Sequence, residues 1–201
     1  MYEKLITDRL LARFCAAVRV RMYKEQGDNA RLIAQTCDKL GVTDARQVAY
    51  ILGTAHHECR FKAIPEIRAK RGTVVFNFQE RYWHTGFYGR GFPQLTWKKN
   101  YLKFSPVVGI DLVKNPEAVL SPEIGATILV YGMMHGSFTA LKLESKNRLS
   151  KYFPPDCGKA DWMNARKIVN GTFQADKVAT AARIFLDCIG KEIEDNAAKQ
   201  A

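Results

Sequence analysis

Two blocks of helical periodicity, separated by a stretch with no sustained period, restrict this chain more than any other feature of it. Leu5, Ile6, Leu10, Leu11, Phe14 and Val18 recur at the spacings of one amphipathic helix face. Residues 29–40 continue the pattern up to Gly41, a residue suited to a left-handed helix end. Thr43 or Asp44 can cap a helix over 45–59, with Val48, Ile51, Leu52 and Ala55 on its inner side. Segment 60–93 breaks the period with Pro65, Gly72, Gly86, Gly89, Gly91 and Pro93. It reads as loops with a short hairpin around residues 73–78, where Val74, Val75, Phe76 and Phe78 favour strand. Helices resume over 95–104, 122–134, 162–169 and 175–194, with Pro122 suited to a first turn and Asp161 to a cap. The polar tail beyond them is expected to fray.

At 201 residues, 47% of them hydrophobic, the chain can bury one substantial core. The expectation is a mainly α fold, a single domain over residues 1–201 with a small loop-rich or hairpin lobe inserted at about 60–93. No apolar stretch reaches the roughly 20 residues that a membrane span requires. Charged residues from Glu3 to Arg21 break any signal-like apolar run at the start. Five cysteines without a CxxC pair argue against a disulfide framework or a zinc knuckle and suit a reducing cytoplasm.

The net charge of +11 comes from 31 Lys and Arg against 20 Asp and Glu. Residues 60–104 concentrate the excess, with ten basic residues against only Glu66 and Glu80. Such a face suits nucleic acid, lipopolysaccharide, anionic lipid or peptidoglycan, or is simply solvated.

His57-Glu58 opens like a zinc-protease HExxH motif, but the second histidine position holds Phe61. His56, His57, His84, His135 and the cysteines could make a metal site only if the fold assembled them. The glycines of GFYGRGF have the wrong spacing for a phosphate-binding loop. Glu58 stands at the end of an apolar helix where a basic, aromatic segment begins. Glycosidic hydrolysis requires one protonated carboxyl and a second, ionised carboxylate. Glu58 fits that first requirement, and equally fits a helix-end salt bridge to Arg60 or another basic neighbour.

Residues 82–101, YWHTGFYGRGFPQLTWKKNY, resemble the YxGRGxxQLTxxxNY signature of glycoside hydrolase family 19, the chitinase-like group that includes many phage endolysins. HHECRF (56–61), GIDLVKNPEAVLSPEIGA (109–126) and DWMNARKIVNG (161–171) resemble further family segments in the same order. The resemblance implies a lysozyme-like or chitinase-like helical domain, with Glu58 as general acid. It implies Glu66, in AIPEI, as general base on water, with Glu80 as the alternative. Thr96 would help hold that water, its hydroxyl able to donate and accept at once; it equally reads as an N-cap of the helix over 95–104. Gln94, Tyr88, Arg90 and Asn170 would contact substrate or its loops. Tyr88 also reads as packing, Arg90 as the partner of a carboxylate, and the Asn-Gly pair as a turn. Among Tyr82, Trp83, Phe87 and Trp97, one or two would stack on sugar.

Phe92-Pro93 and Lys98-Lys99 depart from the family pattern toward an anionic polymer. The resemblance therefore implies a phage-type endolysin, a muramidase hydrolysing β-1,4 bonds of peptidoglycan glycan strands by inversion, without metal or organic cofactor. It would act as a monomer, fold in the host cytoplasm and reach the wall after holin-type permeabilisation, with no separate cell-wall-binding domain. A chitinase acting on N-acetylglucosamine polymers is the alternative enzyme. A non-catalytic, basic nucleic-acid-binding protein is the alternative class, and the motifs leave no nucleic-acid contact expected.

Overall fold

The computed structural model describes residues 1–139, 142–155 and 158–200, so Cys157 and part of the loop at 152–161 lie outside the described residues. It is mainly helical, at 60% helix, and no strand occurs among the described residues. Among the described residues, eight α-helices form the framework: α1 Asp8–Val18, α2 Lys24–Lys39, α3 Ala45–Cys59, α4 Val74–Gln79, α5 Lys98–Val108, α6 Pro122–His135, α7 Leu149–Tyr152 and α8 Ala175–Ala198. None of the described helices is long and apolar enough to cross a membrane.

The apolar face read as one amino-terminal helix is divided at Thr7. A 3-10 turn, Tyr2–Leu5, precedes it, and the Thr7 hydroxyl accepts from the Leu10 amide to start α1. Leu5, Ile6, Leu10, Leu11 and Phe14 are all buried nonetheless. α2 begins five residues earlier than its apolar pattern indicated, because the Gln26 side chain accepts from the Tyr23 amide and starts the first turn there. α8 continues to Ala198, past the expected end.

The centre of the molecule is the α3–α8 pair, the most extensive helix contact in the fold. A Cβ at Gly53 of α3 would stand 2.8 Å from the backbone nitrogen of Ala182 on α8, so the backbones meet with no side chain between them. Phe14 stacks on Phe185 at 3.7 Å and meets His56 edge-on, closing the core over the carboxyl-terminal turns of α3. Arg9 forks onto the buried Glu192 carboxylate at 2.7 and 3.0 Å and ties α1 to the far end of α8. A second, smaller cluster, with Leu95, Tyr101, Phe104, Val119 and Ile128, lies under α5 and α6.

Between α3 and α5 the chain makes the lobe, and here the hairpin expectation fails. Residues 74–79 form α4: the Thr73 hydroxyl accepts from the Phe76 amide, capping a helix despite the β-favouring side chains. The only sheet-like pairing among the described residues is one antiparallel bridge between Pro65 and Arg90. Glu66 N–H donates to the Gly89 carbonyl, and Gly91 N–H to that of Ile64. The helix expected from residue 95 starts at Lys98, because Gln94 and Trp97 take left-handed backbone (φ 48° and 75°). The helix expected over 162–169 is a 3-10 turn, Asn164–Ile168, although Asp161 does accept from the Asn164 amide.

Candidate active site

Glu58 lies in the last turn of α3. The chain leaves that helix through two left-handed residues, Arg60 (φ 51°) and Phe61 (φ 59°). Two buried amides on α2 hold this exit: Gln26 donates to the Arg60 carbonyl at 2.7 Å and Asn29 to the Phe61 carbonyl at 2.8 Å. Left-handed backbone is unfavourable for side chains of this size, so these bonds fix the direction in which the chain departs beyond Glu58. The Glu58 carboxylate is in ionic contact with the buried Arg166 guanidinium at 2.5 Å, without hydrogen-bond alignment. Its salt-bridge partner is thus Arg166 rather than the neighbouring Arg60. Arg166 Nε donates to the Phe173 carbonyl, and its own carbonyl accepts from the Asn170 amide. Beside Glu58, burial lowers the pKa of His57, with Glu58 acting in opposition.

Glu66 is held from three sides. Its Oε1 accepts from Gln79 Nε2 at 2.9 Å and from the Tyr82 hydroxyl at 2.7 Å; its Oε2 accepts from the Gly89 amide at 2.9 Å. A carboxylate offers about four acceptor positions, so one position on Oε2 is left for a further donor. Burial, and then the carboxylate it faces, push the Tyr82 phenol up, which keeps that hydroxyl a donor. Gln79 is only 1% exposed, and its amide also donates to the Ile67 carbonyl, so α4 exists in this place largely to present it.

The GRG of the sequence motif has a steric explanation. A Cβ on Gly89 would fall 2.9 Å from Gln94 Oε1 and 3.2 Å from Glu66 Oε2; only bare backbone lets those two side chains flank it. At Gly91 (φ 67°) a Cβ would meet the Val119 carbonyl oxygen at 2.4 Å. Phe92 fills the main core and Leu95 the smaller cluster, so the segment between the two cores is fixed at both sides.

Gln94, Thr96 and Asn170 line one cleft of ≈ 270 Å³, together with Trp97, Asn100 and Phe138. Gln94 donates to the carbonyls of Ile64 and Gly91, bracing the loop that carries Glu66. Thr96 is not a helix cap. Its hydroxyl donates to the Gln94 carbonyl at 2.9 Å, which leaves its lone pairs as acceptors, and Asn100 holds its backbone carbonyl. Asn170 Oδ1 accepts from the Gly171 amide, so this Asn-Gly pair is a turn that also delivers an amide to the cleft. Larger cavities, such as that of ≈ 480 Å³ between α1 and α2, are lined by none of the expected site residues.

Arg90 is not at a cleft surface. It is buried, bonded to Glu117 at 2.6 and 2.9 Å, to the Gly86 and Tyr88 carbonyls and to the Tyr101 hydroxyl. An arginine with its donors so engaged is a tie between the lobe and the 116–120 turn, which is the carboxylate-partner reading of Arg90 rather than that of a residue lining the cleft. Tyr88 is partly exposed, stacked on Trp83 at 4.5 Å and beneath the Arg90 guanidinium. Glu80 is exposed and paired with Arg68, outside the Glu66 network. Phe87 packs on Tyr101, and of the four aromatics expected to stack on sugar Trp97 lines the cleft.

Arg166, Gln79, Tyr82, Gln26 and Asn29 carry the geometry around the two glutamates and were not singled out for a site role from the sequence, apart from Tyr82 as a possible sugar platform. Arg166 had a signal, being a basic residue inside one of the quoted motifs. The two glutamines and Asn29 had none. Among the described residues no group of three His, Cys, Asp or Glu side chains is arranged to hold a metal ion. Cys15, Cys37, Cys59 and Cys188 are free thiols. Comparison with protein-family models, with curated proteins and with solved structures returns no match to this chain.

Proposed function

We propose that this chain is a lysozyme-like, chitinase-related glycoside hydrolase of phage-endolysin type, which cuts β-1,4 bonds in the glycan strands of peptidoglycan. The observation that carries the reading is a convergence. Gln94, Thr96 and Asn170, far apart in sequence, line one cleft; Glu66 lies beside Gln94 across Gly89, and Glu58 is joined through Arg166 to the turn that bears Asn170.

Each group has a task in an inverting hydrolysis. Glu58 protonates the departing glycosidic oxygen, with Arg166 positioning its carboxyl. Glu66 takes a proton from the attacking water through the acceptor position left on Oε2, while its three donors hold it still. Thr96 accepts a hydrogen bond from that water, its own proton being engaged on Gln94. Inversion calls for carboxyl groups about 6.5–9.5 Å apart, leaving room for water opposite the leaving group. The basic surface favours encounter with an anionic wall polymer. Synthesis in a host cytoplasm, with access to the wall after a holin-type protein opens the membrane, belongs to the same proposal.

Mass spectrometry of products released from purified peptidoglycan by the wild type, Glu58→Gln and Glu66→Gln proteins tests it. New reducing muramic acid ends, absent with either variant, are expected. Free stem peptides, or activity confined to chitin oligomers, would contradict it, and full activity in Glu66→Gln would move the base to Glu80.

A further inference from the structure

α4 is amphipathic in the wrong direction for a core helix. It buries Gln79 and turns Val74, Val75 and Phe78 outward, at 86%, 58% and 53% exposure. These three positions share an arc of about 100° at helical spacing. Ile67, 81% exposed, and Ile64 extend the apolar surface along the chain that leads to α4. Five of the large apolar side chains that this protein leaves in water therefore fall within residues 64–78. Single exposed apolar residues are ordinary, but a run of this kind marks a contact surface.

Charge indicates what that surface meets. Residues 60–81 carry Arg60, Lys62, Arg68, Lys70, Arg71 and Arg81 against Glu66 and Glu80. Glu66 is turned inward to its three donors and Glu80 is paired with Arg68. Lys62, Lys70, Arg71 and Arg81 are exposed and form no ion pair among the described residues, and Arg81 lies over the Phe78 ring. Exposed apolar side chains and exposed cations in one short segment suit the boundary of an anionic bilayer, where acyl chains take the former and headgroups the latter.

We infer that the lobe at residues 62–81 is a membrane-docking surface, with Val74, Val75, Phe78 and Ile67 entering the interface of an anionic phospholipid leaflet and Lys70 and Arg71 at its headgroups. The docking does not depend on hydrolysis and holds the protein at a bilayer surface while the cleft is occupied or empty.

The test is co-sedimentation of the full chain with vesicles of phosphatidylglycerol and phosphatidylethanolamine, against vesicles of phosphatidylcholine alone. Binding to the anionic vesicles only, weakening with salt, is expected. Val74→Ser with Phe78→Ser should bind about tenfold more weakly, by loss of apolar burial. Lys70→Glu with Arg71→Glu should abolish binding, and Glu58→Gln should bind like the wild type. The substituted side chains are exposed, and circular dichroism verifies that the fold persists. The inference is overturned by absence of vesicle binding or by undiminished binding of the double serine variant. It is equally overturned if those serines dissolve a concentration-dependent dimer, which assigns the patch to a second copy. Loss of activity on lipid-free peptidoglycan in the same variant would assign the patch to glycan instead.

Discussion

The α3–α8 pair and the lobe at residues 62–97 are neighbours built on opposite rules. In the pair, small residues bring two backbones together and apolar side chains fill the rest: Gly53 lies against Ala182, with Phe14, Phe61 and Phe185 around them. In the lobe, buried polar side chains do the organising, and Ile67, Val74, Val75 and Phe78 face outward. Glu66, Gln79, Tyr82 and Gly89 form one knot, and Arg90, Glu117 and Tyr101 another. The first arrangement is rigid because its packing leaves no space; the second is specific because each polar group has its partner. Of the two candidate glutamates, Glu58 belongs to the pair, in the last turn of α3, and Glu66 to the lobe.

Breaking the pair should have the largest effect. Gly53→Val places branched carbon against the Ala182 backbone and should lower stability by about 3 kcal/mol, since overpacking against main chain cannot be relieved by a rotamer change. Chemical denaturation measures it, and a loss under about 1 kcal/mol would mean that the helices can slide apart. Next in size is Arg90→Leu, at roughly 2 kcal/mol, from carbonyls and a hydroxyl left without their donor. Hydrogen exchange should then show residues 62–97 opening while α3 and α8 stay protected. Uniform deprotection would contradict a separable lobe.

The difference between the regions also explains what the sequence revealed. α3, α6 and most of α8 were legible because their apolar spacing and their start signals, the Asp44 cap and Pro122 in the first turn, agree with the packing that they enter. α4 was not, because Val74, Val75, Phe76 and Phe78 favour strand, and the Thr73 cap and the bonds of Gln79 prevail over that preference. The start of α5 was misplaced because left-handed Gln94 and Trp97 leave no trace in hydrophobic periodicity. The seven expected site residues came from motif resemblance; Gln94, Thr96 and Asn170 line one cleft, Glu58, Glu66 and Tyr88 are half-buried and do not line it, and Arg90 is buried. Arg166 and Gln79 act through contacts over 108 and 13 residues of chain, respectively, which no local spacing encodes.

Glu66→Gln sharpens the comparison on a smaller scale. An amide has one acceptor oxygen where the carboxylate has two, so one of the three donors loses its partner, at about 1–2 kcal/mol. The expected fall in denaturation midpoint should be exceeded in Glu66→Ala, which leaves all three donors without an acceptor, and absent from Glu80→Gln. The gentlest effect near neutrality comes from pH. Burial, then Arg60 and His57, lower His56 to about 4 from its usual value of 6.5. Between those values the unfolded chain takes up a proton that the folded chain does not, so stability falls as pH drops through 6.5 and continues to fall toward 4. Melting temperatures across that window should decline, and His56→Phe should flatten the decline; an unchanged slope would remove His56 from the account.

The joint role of Glu58 and Glu66 is tested most directly by proton NMR of a soluble β-1,4 peptidoglycan glycan oligomer during its first moments of digestion. The account predicts that the new reducing ends appear first as the α anomer and then mutarotate, and that neither Glu58→Gln nor Glu66→Gln releases them. First appearance of the β anomer, or release undiminished in the Glu66→Gln protein, would contradict it.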